Sequence, residues 1–204
     1  MSPTRKPKTP ALIKRVRQCT LCAAHLPLPA KPILQAHRSA KILIASQAPG
    51  RLAHDAGRAF DDPSGERLRR WLGVSRAQFY DERLFAIVPM GFCFPGSAKG
   101  GDLPPRPECA PTWQEPLMKY LSAIELTLLI GQYAQAYHLP SAQRTLTERV
   151  AAWRRYLPAQ LPLPHPSGRN NRWMAKNPWF EQEVIPALQA RVQEILSKAD
   201  KQPL

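Results

Sequence analysis

Three things are scarce in this 204-residue chain: acidic residues, long apolar runs and cysteine. Asp and Glu number 15 against 29 Lys and Arg, which leaves a net charge of +14. That deficit of acid favours a polyanionic partner, because counterions released from a phosphate backbone drive binding. The excess is not confined to the basic tail. Arginines recur through the body, among them Arg67, Arg70, Arg106, Arg154, Arg169 and Arg172. No apolar run approaches the ~20 residues needed to span a bilayer, which argues against a membrane protein. The first ten residues, MSPTRKPKTP, lack the apolar segment of a secretion signal, so a cytoplasmic address is expected. In that compartment the four cysteines are not expected to form disulfides. There is no internal repeat, and the length suits one well-buried core. Residues 1–10 are expected to be a disordered tail and residues 11–204 a single domain.

What is present is organised around Lys41 to Gly65, KILIASQAPGRLAHDAGRAFDDPSG. It opens as a buried strand over 41–45 and turns abruptly at Ser46-Gln47-Ala48-Pro49-Gly50. A polar loop follows, carrying His54, Asp55, Asp61 and Asp62 around one aromatic, Phe60, and a helix is predicted over 64–72. An α/β protein places its ligand site there, beyond the carboxyl end of a parallel strand. Further strands are predicted over 84–88, 125–130 and 161–163. The last is interrupted by proline and so belongs at an edge; it leads to His165-Pro166-Ser167-Gly168. Helices are predicted over 11–18, 75–80, 110–122, from 131, over 146–156 and over 179–198. Residues 92–111 read as a long irregular loop. Strands alternating with helices imply a parallel sheet covered on both faces.

The cysteines fall into two pairs, Cys19 with Cys22 and Cys93 with Cys109. C-x2-C brings two thiolates to one ion across a single turn, and the second pair lies across a loop of fifteen residues. Four thiolates suit tetrahedral zinc or an iron–sulfur cluster, and spacing alone does not choose between them. Either would clamp the first helix to the long loop.

Together these residues resemble the uracil-DNA glycosylase superfamily, closest to its iron–sulfur (family 4) branch. That branch reads G-E-A-P-G, a short acidic loop, then G-x-P-F. Here Ser46-Gln47-Ala48-Pro49-Gly50 is followed at matching spacing by Gly57-Arg58-Ala59-Phe60. The family's H-P-[SA] matches His165-Pro166-Ser167, and the four cysteines fit the branch's cluster spacing. The resemblance implies a three-layer α/β/α sandwich with a central four-stranded parallel sheet. It also implies a structural [4Fe–4S] cluster, with zinc as the alternative, and a monomer acting on DNA. The activity implied is hydrolysis of the N-glycosidic bond of uracil or a related deaminated base after the nucleotide is flipped out of the duplex. Phe60 would stack on the flipped base, a contact of about 1–3 kcal/mol. His165 would stabilise the departing base anion by a hydrogen bond. Ser167, Arg169 and Arg172 would meet the DNA strand, while Trp173 is assigned to packing.

Two positions depart from the pattern. Gln47 stands where the branch has glutamate, and an amide orients water without accepting its proton. Ala48 offers no carboxylate either, though it remains at the expected base-binding turn. His54 is the preferred substitute base, since a neutral imidazole accepts a proton near pH 7. Pro89 stands where the family reads uracil with asparagine, so backbone groups of Met90 or Gly91 are expected to take over. These departures also support an alternative, a DNA-binding member that has lost most or all catalysis. A weaker third reading is a zinc-stabilised hydrolase of small nucleosides.

Overall fold

A computed structural model describes residues 10–140 and 145–200. The expected tail over residues 1–10 therefore lies outside the described residues, apart from Pro10. Four strands form the central sheet: β1 (Ile42–Ala45), β2 (Phe85–Ile87), β5 (Leu126–Ile130) and β6 (Gln160–Leu163). Their order is β2-β1-β5-β6 and every pairing is parallel. A short antiparallel hairpin, β3 (Ser97–Ala98) and β4 (Gly101–Asp102), stands apart.

Strand alternation sends side chains into two separate cores, which is why β1 is buried at every position. Ile42 and Ile44 join Phe85, Ile87, Leu126, Leu128 and Leu161 on one face. That face is covered by α3 (Pro63–Leu72), α7 (Leu146–Ala151) and α9 (Ile185–Asp200), which supply Trp71, Val150, Leu188 and Val192. Leu43, Ala86 and Val88 face the other way, against Ile13 and Val16 of α1 (Ala11–Arg17) and Trp113 and Leu117 of α5 (Cys109–Tyr120). Ala45 and Leu129 complete that second layer against Ala134 of α6 (Gly131–His138). The result is a three-layer α/β/α sandwich, as expected. Pro162 sits in the terminal strand opposite Leu129, where its missing N–H breaks no second ladder.

Local differences from the sequence reading cluster around the site. Residues 51–56, read as loop, form α2 (Arg51–Ala56). Its start at Gly50 has no side-chain cap and it spans under two turns, so nothing periodic announces it. Residues 92–111 are not wholly irregular, because the β3–β4 hairpin lies within them. The segment after His165, where no helix was predicted before residue 179, is a 3₁₀ turn, Gly168–Asn170, running into α8 (Asn171–Lys176). A short α4 (Arg76–Phe79) closes on the Ser75/Gln78 capping box.

The chain runs from β1 out to β2 and then returns to the other side of β1 with β5. That reversal opens a crevice at the carboxyl ends of β1 and β5, the place where open α/β sheets bind ligands. Among the described residues, no helix is long and apolar enough to cross a membrane.

Candidate active site

A cavity of about 440 Å³ fills that crevice. The turn after β1 contributes Ser46, Gln47, Ala48, Pro49 and Gly50, and the end of β2 contributes Pro89. Gly131 and Gln132 come from the start of α6, while His165, Ser167, Arg169 and Asn170 come from the segment after β6. Phe60, Asp62 and Ser64 approach from the entry to α3, and Asp102 from the hairpin. The volume lies within the ~300–1,000 Å³ range of small-ligand sites. Gln47 and His165 meet across Gly131: a Cβ there would stand 3.7 Å from Gln47 Oε1 and 3.8 Å from His165 Cβ.

His165 is held in one protonation form. Its Nδ1 accepts the Ser167 backbone N–H at 3.2 Å, which leaves Nε2 to carry the proton. Burial pushes the imidazole below its ordinary value, and Arg169 adds to this. The charges of Asp62 and Asp102 oppose the shift without reversing it. The ring is thus a neutral N–H donor near pH 7. Asn170 Nδ2 donates to the His165 carbonyl at 2.7 Å and fixes the same turn.

Phe60 is buried, 7% exposed, yet it lines the cavity. Its ring lies 6.3 Å from that of His165, with 27° between the planes, and edges onto Phe79. The backbone has an unusual φ of 57°. Arg69, a buried guanidinium, donates to the Phe60 carbonyl at 3.3 Å. The same carbonyl explains Gly65, where a Cβ would fall 1.7 Å from that oxygen. Gly65 N–H in turn donates to Asp62 Oδ1 at 2.8 Å, so Asp62 caps α3 with Pro63 in the first turn.

Other expected site residues fall elsewhere. His54 does not line the cavity. It lies on α2 with its ring 6.2 Å from Phe94, and its buried Nδ1 has no hydrogen-bond partner. Burial first, then the Lys31 charge, hold it below the ordinary imidazole value. Asp55 pairs with Arg51 at 2.9 Å and Asp61 with Arg76 at 2.7 Å, both away from the cavity. Met90 and Gly91 are buried, and neither lines it. Their N–H groups donate to the Ser46 and Gln47 carbonyls at 2.8 Å each, so they are not free to read a base. Ser167 lines the cavity, and its carbonyl accepts from Arg67. Arg169 donates to the Gly100 carbonyl of the hairpin at 2.8 Å. Arg172 is exposed on α8. Trp173 packs between Trp179 and Phe180 and donates to Thr147, as expected for a packing residue.

Among the lining residues that the sequence reading missed are Asp102 and Gln132. The Gly100-Gly101 pair before Asp102 is a turn signal that could have located the hairpin. Gln132 directly follows the glycine at the end of β5, where strand-tip ligand residues belong.

The four cysteines come together. Cys22, Cys93 and Cys109 are buried and Cys19 is half-buried; burial pushes the three buried thiols up, and the neighbouring Cys19 adds to it. Burial pushes Cys93 up to about 11 and Cys109 to about 12. Trp113 Nε1 donates to Cys19 Sγ at 3.4 Å. Among the described residues, no three His, Cys, Asp or Glu side chains stand in ligating geometry. The all-sulfur donor set nevertheless suits zinc or an iron–sulfur centre rather than a hard cation.

Against known proteins, the model of the Uracil DNA glycosylase superfamily matches residues 35–189. Among solved structures, the chain is similar to a candidate uracil DNA glycosylase from Methanosarcina acetivorans. The TM-score is 0.44 and the identity 15%, over 78% of this chain and 94% of that one.

Proposed function

Because this chain belongs to the uracil-DNA glycosylase superfamily, we propose that it removes uracil or a related deaminated base from DNA. The observation that carries this reading is the pairing of Phe60 with His165, locked as an Nε2–H donor, in one strand-tip cavity with Gln47. A base inside a duplex is out of reach, so the nucleotide is extruded into the cavity. Phe60 supplies a flat apolar surface for it. As the C1′–N bond breaks, negative charge gathers on the base, and the neutral His165 Nε2–H hydrogen-bonds a base oxygen. A donor aimed at developing charge in a water-poor site lowers the barrier without having to reorganise. Gln47 orients the attacking water. Exposed Arg172 and the remaining donors of Arg169 meet strand phosphates, in keeping with the +14 charge.

Pro89 cannot read a base with its side chain, and Gln114 Nε2 occupies its carbonyl at 2.8 Å. Strict uracil specificity is therefore not part of the reading. A panel of oligonucleotides carrying uracil, hypoxanthine or xanthine, single- and double-stranded, tests it by alkali cleavage at the abasic product. Cleavage of at least one, lost in His165→Ala, is expected. Salt-sensitive binding with no cleavage of any would instead identify a DNA-binding member that has lost catalysis.

The second element of the proposal is a structural [4Fe–4S] cluster held by Cys19, Cys22, Cys93 and Cys109. A cluster or ion there ties the chain after α1 to the end of β2 and the start of α5. Iron and acid-labile sulfide in anaerobically purified protein are expected, and zinc without iron would replace the cluster with the alternative metal.

A further inference from the structure

The glycosylase reading leaves the proton of the attacking water without an acceptor. Gln47 cannot take it, and His54, Asp55 and Asp61 do not line the cavity. Two carboxylates do, Asp62 and Asp102. Asp62 is committed to α3, where its Oδ1 accepts the Gly65 N–H at 2.8 Å. Asp102 is different: it is delivered by the hairpin and exposed to solvent, so water reaches it. Its Oδ1 accepts the Ser97 hydroxyl at 2.8 Å, which fixes the carboxylate plane. Its Oδ2 lies against the turn after β1, only 3.1 Å from where a Cβ on Gly50 would sit.

The hairpin is fastened so that this carboxylate stays in place. Ser97 pairs with Asp102 and Ala98 with Gly101. Arg169 reaches across from the His165 side and donates to the Gly100 carbonyl at 2.8 Å. The guanidinium occupies the space a side chain at residue 101 would need, since a Cβ there would lie 1.3 Å from its Nη1. Gly101 also has a φ of +133°, a conformation few other residues adopt. The hairpin thus bridges the two turns that face each other across the cavity.

We propose that Asp102 is the catalytic base of this site, doing from the hairpin what Gln47 cannot do from the β1 turn; the assignment rests on the glycosylase reading above. In the step, the water oxygen bonds to C1′ of the deoxyribose and its proton passes to Asp102 Oδ2. The C1′–N bond breaks, and its electron pair leaves with the base, whose oxygen is hydrogen-bonded by His165 Nε2–H. The departing base nitrogen then takes up a proton and Asp102 returns its own to solvent. The products are the free base and an abasic sugar with a hydroxyl at C1′.

The test is single-turnover cleavage of a uracil-containing duplex by wild type, Asp102→Asn and Asp102→Glu. Binding is measured alongside on a duplex carrying cleavage-resistant 2′-fluoro-2′-deoxyuridine. Asp102→Asn keeps an acceptor for Ser97 but loses the base, so cleavage is expected to slow by about 10²–10⁴-fold. Binding should be unchanged, and Asp102→Glu should recover part of the rate. A wild-type rate in Asp102→Asn overturns the assignment and leaves the glycosylase reading standing. Equal loss of rate and binding in both variants also overturns it, making the hairpin a DNA-holding element. A wild type that binds but cleaves none of the uracil, hypoxanthine and xanthine duplexes removes the glycosylase reading, and the assignment with it; where it cleaves another of these bases, the same variants are compared on that duplex.

Discussion

Two histidine–phenylalanine pairs stand at similar separations in this protein, and only one of them lines the cavity. His165 and Phe60 are 6.3 Å apart; His54 and Phe94 are 6.2 Å apart. Both imidazoles are held below their ordinary value, mainly by burial. The difference lies in what the backbone does around them. His165 follows β6, accepts a hydrogen bond from the Ser167 N–H at Nδ1 and lines the strand-tip cavity. His54 follows β1 too, but on α2 it does not line the cavity, and its buried Nδ1 has no hydrogen-bond partner. Residue type and basicity do not separate the two histidines; a hydrogen-bonded Nδ1 and a place in the cavity lining do.

The largest effect that sharpens this contrast is in catalysis. His165→Ala is expected to lower the single-turnover cleavage rate by about 10²–10³-fold, the scale for losing one donor to a developing anion. His54→Ala should cleave at the wild-type rate. If the two substitutions were equally damaging, the distinction between the pairs would disappear.

The aromatic partners separate next. Phe60→Ala should weaken binding to uracil-containing DNA by about 1–3 kcal/mol relative to intact duplex, measured by fluorescence anisotropy. Phe94→Ala, at a buried site, should lower stability by roughly 3–5 kcal/mol while keeping that preference. Gly65→Ala probes how Phe60 is held. Its new Cβ meets the Phe60 carbonyl, so a loss of about 1–3 kcal/mol in denaturant unfolding is expected, with weaker uracil preference.

The smallest effect concerns pH. His165 and His138 are both kept below the ordinary imidazole value of 6.5 by burial. The unfolded chain therefore binds protons that the folded chain refuses, and stability is complete above that value and declines as pH falls below it. The melting temperature should drop between about pH 7 and 5. His138→Gln should remove part of that drop, because His138 has a buried Nε2 with no partner.

The contrast also explains what could be read from the sequence. The sheet was legible because four short apolar runs, the last broken only by Pro162, alternate with helical stretches. His165 was legible because its motif follows directly on β6, and Phe60 because the spacing of Gly57-Arg58-Ala59-Phe60 from the β1 turn resembles the family motif. The cysteine pairs were legible through spacing. His54 was misjudged because α2 has no cap residue and under two turns, so a helix that rotates it away left no trace. Met90 and Gly91 were misjudged because their N–H groups pair with Ser46 and Gln47, a tertiary fact that no local pattern encodes. Asp102 was overlooked because two strands of two residues each leave no alternation to detect.

The most direct measurement is ¹⁵N NMR of the His165 imidazole in the wild-type protein across neutral pH. An unprotonated, hydrogen-bonded Nδ1 and a protonated Nε2 are expected, with the ring neutral at pH 7. An imidazolium at pH 7, or a proton resting on Nδ1, would contradict that expectation.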